Sequence, residues 1–159
     1  MKNLSKYILI FLIAPFVFSS CSDDDDSNDP ILGCTDPMAV NYNSNADSDD
    51  GSCQYSIVGD WEVTRYMWGS TNVLSGYQYL YQDMYANGDY NVWGLTTTNV
   101  ALDVWGVYSI GGTNNSELTL TNTTTGDVSV FTITQISSTF IAMEGYVADV
   151  WAEIEAVRL

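Results

Sequence analysis

The side chains that could do chemistry in this sequence are three cysteines and a row of oxygen-bearing residues between two of them. Cys21 stands apart, whereas Cys34 and Cys53 frame a polar segment. Within that segment Asn or Asp recurs at every second position, and a glycine follows. Alternating oxygen ligands in a short loop are what a hard cation such as Ca²⁺ requires. The candidate ligands are Asn43, Asn45, Asp47, Asp49 and Asp50.

Two interpretations of this acidic segment remain open. Gly51 lies one residue later than the glycine of an EF-hand, and the bidentate glutamate of that motif is missing. Asn and Asp are also common turn formers, because their side chains bond to nearby backbone amides. We therefore expect either a turn-rich loop without a specific ion or a Ca²⁺ site, and Ca²⁺ is the one cofactor that the sequence suggests.

The composition disfavours catalysis and nucleic-acid binding. Histidine is absent, which removes the usual general base and the commonest transition-metal ligand. The 159 residues carry 20 acidic and 4 basic side chains, and the net charge of −16 repels phosphate backbones. A glycosidase would need a defined carboxylate pair, and the sequence selects none. We expect a protein that is not an enzyme and does not bind nucleic acid.

Residues 1–20 have the pattern of a cleaved secretory signal peptide. Lys2 and Lys6 precede an apolar run, and the small residues Ser19 and Ser20 follow it. The run is too short for a comfortable membrane span, and Pro15 disfavours the alternative of a permanent anchor helix. The mature chain would then keep two cations against all 20 acidic residues.

Ser19-Ser20-Cys21 resembles the lipobox of bacterial lipoproteins, which implies a lipidated Cys21 as the mature N-terminus; the alternative is an ordinary cleaved signal. Residues 21–32 then form an acidic tether. The Asp23–Asp26 run resembles the export signal of surface lipoproteins in certain Gram-negative bacteria. The resemblance implies a protein anchored by its lipid to the outer membrane and facing the cell surface.

Lipidation of Cys21 would leave Cys34 and Cys53 as the remaining pair, and an oxidising compartment permits a disulfide between them. Closing a loop of this size stabilises it by about 3 kcal/mol. Residues 33–55 also resemble a module, from Gly-Cys-Thr-Asp-Pro to Asp-Asp-Gly-Ser-Cys, that recurs in secreted and surface proteins of the same bacteria. We expect these residues to form a separate disulfide-closed unit.

Residues 56–159 are expected to form an all-β domain. Trp, Tyr, Val, Thr and Ile become frequent there, and short alternating segments are separated by turn residues. Asn87-Gly88 is a hairpin signal that predicts a type I′ turn. About eight strands with short connections favour an antiparallel up-and-down meander, and closure into a barrel would remove its exposed edges.

The order of several short motifs in this domain resembles that of bacterial lipocalin-like lipoproteins. The motifs are Gly59-Asp60-Trp61, Tyr85-Ala86-Asn87-Gly88-Asp89-Tyr90, Gly106-Val107-Tyr108-Ser109-Ile110, Leu118-Thr119-Leu120 and Val157-Arg158-Leu159. The resemblance implies that Trp61 plugs one end of the barrel and that Arg158 packs across it. The alternative is an ordinary core tryptophan and a surface arginine.

An eight-stranded barrel can hold a small apolar or amphipathic molecule, and we expect a monomeric binding module of this kind. The predicted lining or mouth residues are Tyr79, Tyr81, Trp93, Trp105 and Trp151. These aromatics could instead fill the interior, because a one-residue slip of register exchanges the two faces of a strand. The alternative function is a structural or adhesive protein whose acidic loop or surface aromatics contact a partner or glycan.

Overall fold

The structure is a computed structural model that describes residues 29–159. The predicted signal peptide, the lipidated Cys21 and the Asp23–Asp26 run lie outside the described residues. Within residues 29–159, no helix is both long enough and apolar enough to cross a membrane.

Residues 29–159 contain eleven strands and two short 3₁₀ helices. The strands are β1 Leu32–Gly33, β2 Ser48–Asp49, β3 Gly59–Trp68, β4 Thr71–Asn72, β5 Tyr77–Met84, β6 Asp89–Thr96, β7 Ala101–Gly111, β8 Glu117–Asn122, β9 Val128–Ile136, β10 Phe140–Val147 and β11 Val150–Arg158. The 3₁₀ helices are Val73–Gly76 and Thr113–Asn115.

Eight of these strands form a closed antiparallel barrel. Each of β5 to β11 pairs with its neighbour along the chain, β3 pairs with β5, and β11 returns to pair with β3. The final pairing places Arg158 opposite Trp61 and Ala152 opposite Trp68. The prediction of an all-β, up-and-down barrel of eight strands is therefore confirmed. Closure satisfies the backbone groups that an open sheet would expose at its edges.

The largest fully buried side chains of the barrel lie toward the end where β3 begins, which we call the closed end. Trp61, Phe131, Leu118 and Ile141 are almost completely buried. They pack in one apolar cluster that also includes Ile57, Met84, Met143, Ile154 and Ala156. Side chains alternate between the two faces of a strand, so each strand contributes every second residue to this interior.

Arg158 and Trp61 are the centre of the closed end. The Arg158 guanidinium carbon lies 4.2 Å from the centroid of the Trp61 ring, so the contact that the sequence predicts is present. The same guanidinium donates hydrogen bonds of 2.6 Å to the carbonyl oxygens of Val58 and Ser56. Trp61 Nε1 donates to the Ile57 carbonyl at 2.8 Å. β11 is thereby joined both to β3 and to the segment that leads into β3.

Gly59 leaves the room that this arrangement needs. Its φ of +145° is a conformation that L side chains rarely adopt, and a Cβ there would overlap the Arg158 guanidinium. Burial lowers the pKa of Arg158, and the negative charge of Asp60 opposes that shift. Gly59, Trp61 and Arg158 therefore act as one packing unit, which we call the clasp.

The hairpin turns differ from the prediction in one respect. Asn87 has no positive φ, whereas Gly88 has a φ of +90°, and Gly88 N–H donates to the Tyr85 carbonyl at 3.0 Å. This is a three-residue connection in which a type I turn is followed by a left-handed glycine, so the predicted type I′ turn at Asn87-Gly88 is wrong. Positive φ at two successive central residues occurs instead at Ala148 and Asp149, between β10 and β11.

The segment before the barrel is closed by the predicted disulfide. Cys34 and Cys53 are joined with an S–S distance of 2.01 Å, and Cys34 is almost completely buried, so this prediction is confirmed. β1 and β2 form a small parallel pair within the same segment. Tyr55 OH donates to an Asp36 carboxylate oxygen at 2.9 Å. The hydrogen bond from the Met38 amide, together with this one from Tyr55, lowers the pKa of Asp36.

A double-mutant cycle tests the clasp. Trp61→Ala should destabilise the barrel by about 3–5 kcal/mol, because it removes a buried indole. When Trp61→Ala is combined with Arg158→Ala, the double variant should lose less stability than the sum of the two single losses. The difference should be about 0.5–2 kcal/mol, the range of a cation–π contact. Urea unfolding measures both quantities. Trp151→Ala is the matched control, since its exposed indole lies on the same strand as Arg158, and simple additivity in the test pair would contradict the contact.

Removal of the disulfide tests whether residues 33–55 are stabilised independently of the barrel. A Cys34→Ala, Cys53→Ala double variant should lose about 3 kcal/mol of local stability. Hydrogen exchange should then accelerate at the amides of Val40 and Asn43, which are hydrogen-bonded within the segment. The amides of β3 and β11 should keep their protection, and faster exchange in those strands would contradict independent stabilisation.

Candidate ligand-binding cavity

The barrel encloses a cavity of about 450 Å³ beyond the packed closed end. This volume falls within the usual range of small-molecule sites, roughly 300–1,000 Å³. The lining residues come mainly from β3 and β5 to β11, with one from the 3₁₀ helix before β5 and one from the β8–β9 turn, and most of them are apolar. They are Val63, Tyr66, Trp68, Val73, Tyr77, Leu80, Gln82, Tyr90, Val92, Leu102, Val104, Leu120, Asn122, Asp127, Ser129, Phe131, Val147 and Ile154.

The size of the inward side chains explains why one end is packed and the other is open. Trp61, Met84 and Met143 fill the closed end, whereas Val92 and Val104 extend less far into the barrel at the level of the cavity. A barrel of eight strands is just wide enough for large side chains to fill it. Smaller aliphatic side chains on several strands therefore leave space.

The mouth of the cavity lies at the opposite end of the barrel from the clasp. Trp68 ends β3 there, and its Nε1 donates to the Val147 carbonyl at the end of β10 at 3.0 Å. Val73, from the 3₁₀ helix between β4 and β5, contributes to the same wall. Asn122 and Asp127 flank the β8–β9 turn at this end.

Gln82 brings a polar group to the floor of the cavity. It is 5% exposed, pairs with Trp61 across β3 and β5, and borders both the cavity and the packed closed end. Its Nε2 lies 3.3 Å from the Met84 sulfur, which is a weak hydrogen-bond acceptor. A buried amide with so weak a partner is a ready hydrogen-bonding group for a ligand.

The other polar groups on the wall are mostly uncharged. Burial, with the neighbouring Tyr77 phenol, raises the pKa of Tyr66, and burial also raises the pKa of Tyr90. Both phenols therefore stay protonated at neutral pH and can donate or accept hydrogen bonds. Among the described residues that line the cavity, Asp127 alone carries a formal charge. The arrangement suits a ligand with an apolar body and an uncharged polar group.

The five aromatic residues predicted to line the cavity or its mouth lie on the outer face of the barrel. Their side chains are half-buried or exposed, and none of them lines the cavity of the described domain. The residues are Tyr79, Tyr81, Trp93, Trp105 and Trp151. Their inward neighbours along the strands, such as Leu80, Gln82, Val92 and Val104, form the wall instead.

A β-bulge explains part of this correction. The pairing of β5 with β6 shifts between Tyr77 and Tyr79, so Gln78 is an extra residue and the alternation of faces is reset. Tyr77 lines the cavity, whereas Tyr79 faces outward. A second shift, between β3 and β11, leaves Thr64 unpaired and turns Tyr66 inward. The alternating apolar residues were a visible signal for the wall, but the sequence does not show where bulges reset the pattern.

Four of the five predicted Ca²⁺ ligands accept hydrogen bonds from backbone amides of the residues around them. Asn43, Asp49 and Asp50 each accept a hydrogen bond from a backbone amide two residues further along, at 3.0, 3.1 and 2.9 Å. Asp47 accepts instead from the Ile31 amide at 3.4 Å. Within residues 29–159, no group of three or more Asp, Glu, His or Cys side chains could hold a metal ion. The arrangement, in which Asn45 also lies in one of these turns, is typical of a turn-rich loop, and Ca²⁺ binding by these residues stays a prediction.

Comparisons with known proteins give similarities to solved structures alone. No protein-family model matches the chain, and neither does any curated protein. An uncharacterized protein from Bacteroides eggerthii is similar at 11% identity and a TM-score of 0.46, over 65% of this chain and 100% of that chain. A lipocalin-like protein from Bacteroides uniformis is similar at 12% identity and a TM-score of 0.45, over 65% and 98% of the two chains. A de novo designed fluorescence-activating β-barrel is similar at 13% identity and a TM-score of 0.49, over 65% and 94%.

Proposed function

We propose that this chain is a lipid-anchored, non-enzymatic binding protein whose barrel holds a small, uncharged hydrophobic or amphipathic molecule. The observation that carries the proposal is the cavity of about 450 Å³ with Gln82 at its floor. An apolar cavity of ligand size with few polar groups is the usual form of a small-molecule site.

The apolar wall of the cavity supplies the free energy of ligand binding. Leu80, Leu102, Leu120, Phe131 and Ile154 offer apolar surface to a ligand. Removal of apolar surface from water contributes about 25 cal/mol per Å², so a ligand that fills the space gains several kcal/mol before the costs of binding.

The charge of the protein limits the ligand class. Asp127 lies at the mouth, and no Lys or Arg is among the cavity-lining residues of the described domain. An anionic head group would be repelled at the mouth and would find no cation inside. An uncharged alcohol, amide or similar group can instead bond to Gln82 or to the phenols of Tyr66 and Tyr90.

The alternative of a barrel that serves as a packed scaffold has less support. A scaffold requires a filled interior, and the structure has a cavity on the open side of the closed-end core. The outward aromatic residues are a separate feature of the surface and do not depend on whether the cavity is filled.

The position of the N-terminal segment favours a mouth that points away from the membrane. The chain enters the barrel at Gly59, at the closed end, and Arg158 holds Ser56 and Val58 there. Asp36 of the disulfide-closed segment lies near Ser138 in the β9–β10 turn at the same end. A lipid on Cys21 would therefore attach to the barrel from the side opposite the mouth, and the cavity of a surface-exposed protein would face outward.

Filling the cavity tests the binding proposal. Val104→Trp places an indole in the cavity and should abolish the fluorescence enhancement of N-phenyl-1-naphthylamine, an uncharged probe, with residues 29–159 as the protein. Val107→Trp is the matched control, because Val107 lies on the same strand and is exposed on the outer face. The control should bind the probe as the unaltered chain does. Equal binding by the Val104→Trp variant, or no binding by the unaltered chain, would contradict the proposal.

Substitution of Cys21 tests the anchor. Cys21→Ala protein should move from the membrane fraction to the soluble or secreted fraction and should lose incorporation of radiolabelled palmitate, since each buried CH₂ of an acyl chain contributes roughly 0.8 kcal/mol to membrane binding. Cys34→Ala protein is the control and should remain in the membrane fraction. Unchanged fractionation of the Cys21→Ala protein would contradict lipid anchoring.

A further inference from the structure

The outer surface of β5, β6 and β7 carries a continuous set of aromatic side chains, which we call the aromatic face. It consists of Tyr79, Tyr81, Tyr85, Trp93 and Trp105, several of them well exposed. Tyr81 and Trp93 pair across β5 and β6 with ring centroids 4.6 Å apart, and Tyr79 lies 6.0 Å from Trp93. Tyr85 and Trp105 are stacked, with centroids 6.0 Å apart and an interplanar angle of 8°.

Asp83 connects the two parts of the aromatic face. Trp93 Nε1 donates to an Asp83 carboxylate oxygen at 2.8 Å, and Tyr85 OH donates to the same oxygen at 3.5 Å. These bonds orient the rings of Trp93 and Tyr85 before any partner binds. An ordered aromatic surface loses little conformational entropy on binding, so such a surface is well suited to recognition.

Polar acceptors are interspersed with the rings on the same surface. Asn91 lies between β5 and β7, opposite Asp83 on one side and Trp105 on the other. It is 3% exposed, and its Nδ2 donates to the Asp103 carboxylate at 2.7 Å. The Asn91 Oδ1 atom is buried and has no hydrogen-bond partner among the described residues. An amide oxygen left without a partner costs free energy, which a donor group of a bound molecule would recover after a small movement of the covering rings.

The chemistry of the aromatic face decides between classes of partner. Single-stranded nucleic acids also stack on aromatic rings, but they require a positive groove, whereas this face carries Asp83 and Asp103. The centre of a protein–protein interface is depleted of charged residues, and here two carboxylates lie among the rings. Anionic polysaccharides are repelled by the same carboxylates. A neutral sugar chain fits, because its C–H faces stack on rings while its hydroxyl groups donate to carboxylate and amide oxygens.

We propose that the aromatic face is a binding site for a neutral glycan, separate from the cavity inside the barrel. Trp93 and Trp105 are the principal stacking residues, and Asp83 and Asp103 accept hydrogen bonds from sugar hydroxyls. The site uses side chains that point away from the interior, so a glycan and a cavity ligand can be bound at the same time.

Affinity electrophoresis of the full-length protein in detergent tests this proposal. The gels contain neutral polysaccharides, namely hydroxyethylcellulose, xyloglucan, laminarin, mannan and amylose, with heparin and polygalacturonate as anionic comparisons. We expect at least one neutral polysaccharide to retard the protein and both anionic ones to leave its mobility unchanged. Trp93→Ala should weaken binding about tenfold, in line with the loss of one aromatic anchor.

Three further variants separate a glycan site from a general aromatic surface and from the cavity. Trp151→Ala removes an exposed indole that contacts Tyr146 at a distance from the aromatic face, and it should leave retardation unchanged. Asp83→Asn keeps the size of the side chain but removes its charge, and it should weaken glycan binding. Val104→Trp should not alter retardation, so failure of the cavity proposal and failure of this one are distinguishable. Absence of retardation by every neutral polysaccharide, retardation by the anionic ones alone, or equal retardation of the Trp93→Ala and Trp151→Ala proteins would overturn the proposal.

Discussion

The contact between Arg158 and Trp61 holds together an otherwise simple run of hairpins. Every other strand pair in the barrel joins strands that are close along the chain, whereas β11 and β3 are separated by nearly the whole domain. The guanidinium lies over the indole ring and also binds the backbone at Ser56 and Val58. Bringing distant strands together costs loop-closure entropy, and the clasp supplies specific contacts that offset this cost. The chain therefore closes into a barrel and does not remain an open sheet.

Because most of the large buried side chains lie near the clasp, the rest of the barrel interior contains an open cavity. Most of the large buried side chains lie near Trp61, and the wall beyond them is built mainly from aliphatic residues and phenols. One end can thus provide stability while the other remains open. The same division places the N-terminal segment beside the closed end and the mouth of the cavity at the far end.

The sequence was sufficient for the architecture because the relevant signals are local or carried by a few special residues. Alternating strands and turn residues predict an antiparallel meander, and the resemblance carried by Gly59, Trp61 and Arg158 implies its closure into a barrel. The cysteine count together with the lipobox resemblance predicts the disulfide. The sequence did not show which residues of each strand face the interior of the barrel. Tyr77 and Tyr79 are two residues apart, so a regular strand would place them on the same face, but the bulge at Gln78 places them on opposite faces. This bulge depends on the pairing between β5 and β6, which the sequence does not show.

The same limit explains why the sequence assigned aromatic residues to the wrong side of the barrel. Trp93 and Trp105 are large and apolar, which favours a buried position in any one-dimensional interpretation. Their exposure is compatible with the structure because both pack against tyrosine rings, and the Trp93 indole also bonds to Asp83. Only the register shows that the buried wall is made by their immediate neighbours, Val92 and Val104.

The proposed function requires that the barrel interior is an open site for an uncharged amphiphile. A crystal structure of the protein soaked with a bromine-labelled long-chain alcohol measures this most directly, because anomalous scattering locates the bromine without prior assumptions. We expect a bromine signal inside the barrel, with the hydroxyl group of the alcohol within hydrogen-bond distance of Gln82, Tyr66 or Tyr90. An interior filled by protein side chains, or bromine bound at the outer surface alone, would contradict it.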